Sequence, residues 1–296
     1  MKKQIYLSCL LSGFTAAPAL AQYSATLPEA GQFLLTPSAY FQTADEFYIG
    51  DTKLDASKAS GKDSLDQNSF FLNLEYGLSE RFALDASLGW SEASLDGSST
   101  DNGLTDSRIG LRYNLATEGR NWSGPTLSLR AGAIIAGDYE AGGINSIGDG
   151  ESGWEVALLG EKILIGGLGL YGDFGYRQRA NDVPDALYGV AGLFFGAGSW
   201  TLSAGWQFDD SLEGGNIGGP GFGSKFGFPQ VEEDNQSLTA SIGYTDGGGR
   251  SYTVFGASTF EGKNTASKNI LGLSITIPFG GGGAASAATP VSYSGK

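Results

Sequence analysis

The chain has 296 residues, no histidine, one cysteine and a formal charge of −14. Without histidine, a Ser/His/Asp hydrolase and an imidazole zinc site are both excluded, and without a basic patch so is nucleic acid as a partner. The 48 glycines against 9 prolines suit small inward-facing residues and tight turns, not a disordered tract.

The N-terminus reads as a cleavable export signal. Lys2 and Lys3 precede an apolar run from Ile5 to Ala17, Pro18 ends it, and Ala19-Leu20-Ala21 is a small-x-small cleavage site before Gln22. The run is too short to span a bilayer of about 30 Å. Cleavage after Ala21 also removes Cys9, so the mature chain is expected to have no disulfide or thiol chemistry.

From Gln22 to Asp45 the expectation is a periplasmic arm or partial plug. Phe33-Leu34-Leu35 is apolar enough to start a strand, but Pro37 disfavours a central one. Beyond it the pattern predicts twelve strands, at about 46–54, 68–78, 82–91, 105–115, 125–136, 153–161, 167–178, 186–195, 199–208, 236–245, 251–260 and 269–279. Connections alternate between short ones, such as Ser79-Glu80-Arg81, and long acidic ones, of which Asp209 to Asn235 is the longest. The final strand alternates Leu271, Leu273, Ile275, Ile277 and Phe279, like the assembly signal of bacterial outer-membrane proteins. Residues 280–296, rich in Gly, Ala and Ser, read as a flexible tail.

No run in the mature chain approaches 18 apolar residues, so a membrane-spanning reading requires strands in a closed barrel. Phe82 to Trp90 carries the pattern most clearly, with Phe82, Leu84, Ala86, Leu88 and Trp90 on one face and Ala83, Asp85, Ser87 and Gly89 on the other. Eight residues cover roughly 26 Å at about 3.3 Å each, or roughly 20 Å of membrane height at a tilt near 40°. Trp200 and Phe208 repeat the spacing, so Phe82, Trp90, Trp200, Phe208 and Phe279 are the expected membrane-interface aromatics. The predicted fold is all-β: a transmembrane antiparallel up-and-down β-barrel of about twelve strands with periplasmic termini. Ten or fourteen strands and a secreted β-sandwich are the alternatives.

Period two then fixes which charges point inward. Glu75, Asp85, Arg112 and Arg130 all alternate with lipid-facing residues, and Glu155, Asp173 and Arg177 extend the set on later strands. These seven are the candidate lumen lining, either as a cross-strand ladder of opposite charges or as a constriction whose field selects a solute. The small inward residues Gly77, Ser87, Gly89, Gly110, Gly132, Gly175, Ser203 and Gly205 are expected to leave room beside them. The acidic loops, including Gly148-Asp149-Gly150-Glu151, are candidate sites for divalent cations, though their spacing is not that of an EF-hand. No carboxylate pair is marked as catalytic and no cofactor is expected.

Three segments carry a family resemblance. They are Asp45-Glu46-Phe47-Tyr48, Tyr76-Gly77-Leu78-Ser79-Glu80-Arg81-Phe82, and Gly103-Leu104-Thr105-Asp106-Ser107-Arg108-Ile109-Gly110-Leu111-Arg112-Tyr113. Together they resemble Gram-negative outer-membrane barrels described as transporters of the MetA pathway of phenol degradation. The resemblance implies passage of small, often aromatic or apolar, molecules across the outer membrane. The expected partners are therefore outer-membrane lipid, the barrel-assembly machinery and a small-molecule solute. A non-conducting structural or surface-recognition barrel is the competing function.

Overall fold

The computed structural model describes residues 24–280 except 97–98, 120–121 and 144, so the expected signal and nearly all of the tail lie outside the described residues. The fold begins with β1 (Gln32–Ala44), a small hairpin of β2 (Glu46–Ile49) and β3 (Thr52–Asp55), and one helical turn, α1 (Ala56–Ala59). Next come β4 (Leu65–Gly77), β5 (Phe82–Leu95), β6 (Ser99–Leu104), β7 (Ser107–Ala116), β8 (Thr126–Ile135) and β9 (Gly153–Ile163). The ring is completed by β10 (Leu168–Arg179), β11 (Ala186–Ala197), β12 (Trp200–Ser211), β13 (Asp234–Thr245), β14 (Ser251–Lys263) and β15 (Asn269–Gly280).

Pairing is antiparallel throughout, and β1 bonds to both β4 and β15, so the sheet closes on itself. β6 and β7 pair with successive stretches of β5 and form one stave interrupted at Thr105-Asp106, which makes twelve staves in the ring. Closure leaves no unpaired edge, as strands in lipid require. Among the described residues no helix is long and apolar enough to cross a membrane. The barrel crosses with strands.

The first stave differs from the expectation. It is Gln32–Ala44, drawn from the segment read as an arm, whereas Glu46–Ile49 and Thr52–Asp55 form the small hairpin outside the ring. Pro37 is tolerated because the β1–β15 ladder runs from Gln32 to Leu35 and resumes at Ser38, skipping the residue that has no N–H to give. Phe47, expected on a barrel strand, is instead fully buried beneath the loops.

The outward residues form a lipid-facing belt. Phe82, Leu84, Leu88 and Trp90 are exposed while Ala83, Asp85, Ser87 and Gly89 are buried inward. At the short-turn end Phe82 lies against Tyr113 (4.9 Å between ring centres), Trp200 against Tyr244 (5.0 Å), and Phe33 between Tyr76 (4.2 Å) and Phe279 (5.3 Å). At the long-loop end Trp90 is exposed, and Phe208 stacks on Trp206 at 5.1 Å. Two aromatic girdles thus flank the apolar band. Leu273, midway along β15 and exposed on this belt, provides a test: Leu273→Arg is expected to cost about 2–4 kcal/mol of barrel stability in lipid vesicles, read as the urea midpoint of the heat-modifiable gel band. A loss below about 0.5 kcal/mol would place Leu273 off the lipid face.

Candidate functional site

The lumen holds charge where a soluble protein would hold its apolar core. Glu75 on β4 is opposite Asp85 on β5, and Asp85 is opposite Gly110 on β7, two residues from Arg112. Arg112 is opposite Arg130 on β8, and Glu155 on β9 is opposite Arg177 on β10. Because the two facing arginines repel, each turns toward the acids on either side. Arg112 bonds Glu75 and lies 3.8 Å from Asp85; Arg130 bonds Asp85 at 2.7 Å and Glu155 at 2.5 Å. Arg177 continues from Glu155 (3.8 Å) to Asp209 on β12 (3.1 Å), and Arg108 joins at Glu155 (3.8 Å).

Six of the seven candidate lining residues therefore stand in one continuous chain of alternating sign. Asp173, the seventh, faces the lumen opposite Val190 and joins none of these pairs. Arg108 and Asp209 belong to the chain but were missing from the sequence set. Period two carries a signal for Arg108, four residues before Arg112 on the same face, whereas Asp209 lies past the expected end of its strand, because β12 runs on to Ser211. Four arginines meet four carboxylates, and Asp85, Arg112, Arg130 and Glu155 are each no more than 3 % exposed. At that depth a pair is worth keeping only as a pair, since either charge alone is strongly disfavoured.

The N-terminal segment sits against this chain inside the short-turn end. Both oxygens of Glu161 hold it, accepting from Ser24 Oγ (2.5 Å), the Ala25 N–H (3.0 Å) and Thr26 Oγ1 (3.1 Å). Arg112 donates to the Ser24 carbonyl at 2.7 Å and Ser128 to that of Ala25 at 2.5 Å. Ala25 is buried against Ala157 and Leu159. The strand opposite has to yield space for the segment to enter, and a Cβ on Gly77 would lie 2.1 Å from the Glu29 carbonyl oxygen. Of the stretch expected as an arm or plug, residues 24–31 occupy the mouth and the remainder builds the wall.

The long-loop end is closed by the loops themselves. Phe47, Ala56, Ala59, Leu95, Ile147, Ile217, Phe228, Val231 and Ala266 form one apolar cluster across it. Asn264 ties three of these loops together, accepting from the Gly50 (2.8 Å) and Ile217 (3.2 Å) N–H groups and donating to the Glu232 carbonyl (2.7 Å). Several acids assigned to solvated loops are inside this cap. Asp149 bonds Arg179 at 3.1 Å, which also holds Asp106 at 2.5 Å; burial still pushes the Asp149 carboxyl up against the pull of the arginine. Burial likewise lowers the Lys268 ammonium to about 7 and raises Glu233 well above the carboxylate range. Glu151 accepts from Asn181 at 2.8 Å, so the acidic glycine-rich loop is spent on protein partners. Among the described residues no group of three or more carboxylate or thiol side chains converges as a metal site.

The small inward residues do not leave the room expected of them. Gly89 is covered by the ring of Phe71, Gly175 by Tyr188, and Gly110 and Gly132 by the Arg130 guanidinium. In antiparallel pairs a glycine gives its cross-strand aromatic neighbour a place to lie flat, and Phe71↔Gly89 and Tyr188↔Gly175 are direct partners. Open lumen surface remains on the other side, where Ser203, Gly205, Ser241, Thr253 and Ser274 are partly exposed.

The barrel with its inward charges and plugged ends can be set beside solved structures. An outer-membrane channel of the COG4313 group from Pseudomonas putida F1 superposes with a TM-score of 0.67 at 14% identity, over 86% of this chain and 98% of that one. The two share one fold, a closed antiparallel barrel. The NanC porin shares it more loosely, with a TM-score of 0.50 at 7% identity over 82% of this chain and 98% of the porin. No protein-family model and no curated protein matches the sequence.

Proposed function

We propose that the chain is a passive outer-membrane channel for small solutes, with the short turns and N-terminal segment in the periplasm and the capped loops outside. The observation that supports it best is the asymmetry of the lumen, filled by ion pairs along one wall and partly open along the other. A barrel needed only as a membrane anchor gains nothing from an unfilled interior, because empty space forfeits packing. Tyr40, Phe71 and Phe255 cluster beside the open wall, which favours solutes with an apolar or aromatic face. The terminal strand ending in Phe279 fits delivery by the barrel-assembly machinery, and the absence of histidine fits a role without catalysis.

The capped loop end favours a second reading, a non-conducting surface barrel. Swelling of proteoliposomes in isosmotic small solutes separates the two. The channel reading expects uptake that increases when residues 214–231 are replaced by a short turn; a folded barrel that passes nothing in either form would establish the non-conducting reading.

A further inference from the structure

Resting on the channel reading, we infer that solute travels along the wall formed by β12 to β15 and β1, and that this route favours small uncharged hydrogen-bonding solutes over ions. Along the whole of β15 and the short-turn part of the others, from Gln32 to Tyr40, Trp200 to Trp206, Ala240 to Thr245 and Ser251 to Gly256, no residue is charged. Their inward positions include the hydroxyls of Thr36, Ser38, Ser203, Ser241, Thr253 and Ser274, all partly exposed, interspersed with glycines and with the buried rings of Tyr40 and Phe255. On the facing wall Asp85, Ser87, Arg112, Ser128, Arg130 and Glu155 are buried. The open surface and the charged surface are therefore different surfaces.

The charged wall offers little to a passing ion. Its four arginines and four carboxylates are matched to one another, so that, Asp173 and Glu161 apart, they leave no net ring of one sign of the kind that draws counter-ions into narrow pores. An ion on the hydroxyl wall loses hydration and gains no opposite charge. A neutral solute exchanges water for hydroxyls at small net cost. Pairs such as Ser203 with Ser241 (2.7 Å) and Thr36 with Thr276 (3.0 Å) orient these hydroxyls across neighbouring strands while leaving acceptor positions unused.

With Cys9 in the export signal, a thiol introduced into the barrel would be the sole one in the mature chain. Ser241→Cys, Ser274→Cys and Ser87→Cys barrels in proteoliposomes, each with folding confirmed by heat-modifiable mobility, are treated with N-ethylmaleimide and assayed for swelling. Glycerol and erythritol uptake through the untreated barrel is expected to exceed that of potassium glutamate at least about tenfold. Labelling should be rapid at Ser241→Cys and Ser274→Cys and cut polyol uptake by more than about half, while Ser87→Cys stays unlabelled. A barrel that passes neither polyol nor salt, both intact and with residues 214–231 replaced by a short turn, would overturn the channel reading and the route with it. One that passes salt as fast as polyol, or that is blocked through Ser87→Cys and not Ser241→Cys, would overturn the route alone and leave the channel standing.

Discussion

Arg130→Met is expected to cost the folded barrel about 3–5 kcal/mol, because it takes the closest charged partner from two buried carboxylates at once. Arg130 holds both Asp85 and Glu155, with contacts of 2.7 and 2.5 Å, while the other arginines named beside these acids stand 3.8 Å away. The cost comes from the acids left behind and not from the lost side chain itself. Adding Asp85→Asn and Glu155→Gln to the same chain should therefore recover most of it, since a buried ion pair replaced as a whole is often close to neutral. Urea titration of the heat-modifiable band in lipid vesicles measures both variants. A loss below about 1 kcal/mol for Arg130→Met would mean that the chain of charges is solvated, as surface pairs are.

The second large effect is expected in transport. Glu161→Ala removes the acceptor of three hydrogen bonds from Ser24, Ala25 and Thr26. Bonds to a charged group contribute about 1.5–3 kcal/mol each when well buried, and Glu161 is only partly so. Even a net 1.4 kcal/mol shifts the ratio of docked to undocked segment about tenfold. The substitution touches no cross-strand backbone bond, so the barrel should fold normally while its single-channel conductance rises toward that of a chain lacking residues 24–29. Unchanged conductance in Glu161→Ala beside a clear rise in the deletion would move the latch to Arg112 and Ser128.

Strand positions were legible in the sequence wherever one face had to meet lipid. Phe82 to Trp90 and Leu271 to Phe279 announce themselves because a charged or strongly polar residue on that face is costly, and the alternation admits few errors. The first stave was not legible, for two physical reasons. Leu34 and Leu35 are apolar on both faces, which blurs period two, and Pro37 carries a penalty that a gap in the β1–β15 ladder removes. Inward orientation of Glu75, Asp85, Arg112 and Arg130 followed from the same alternation. The short turn Ser79-Glu80-Arg81 also sets Glu75 opposite Asp85, whereas the partners of Glu155 and Arg177 depend on register across connections that leave it free. The lumen's openness was misjudged because a glycine in a sequence looks like vacant space, while Gly89 and Gly175 are occupied by rings from neighbouring strands. The fate of Asp149, Glu233 and Asp209 could not be read locally, since each is decided by an arginine or lysine distant in the sequence.

The ring is shut by its first and last staves, Gln32–Ala44 against Asn269–Gly280. Synthesis order therefore matters: nothing can hold the circle closed until the final dozen residues have been delivered, and a chain truncated within them is left as an open ribbon. Residues 24–26 end up inside that circle, yet they lie just ahead of the first stave, so they can enter from the mouth like a cork after the ring has shut, without threading past any strand. The same geometry governs how the protein can be handled. A folded fusion partner joined ahead of Ser24 would be parked at the mouth, pulling the cork or blocking the passage according to its linker, and transport measured on such a fusion would describe the fusion.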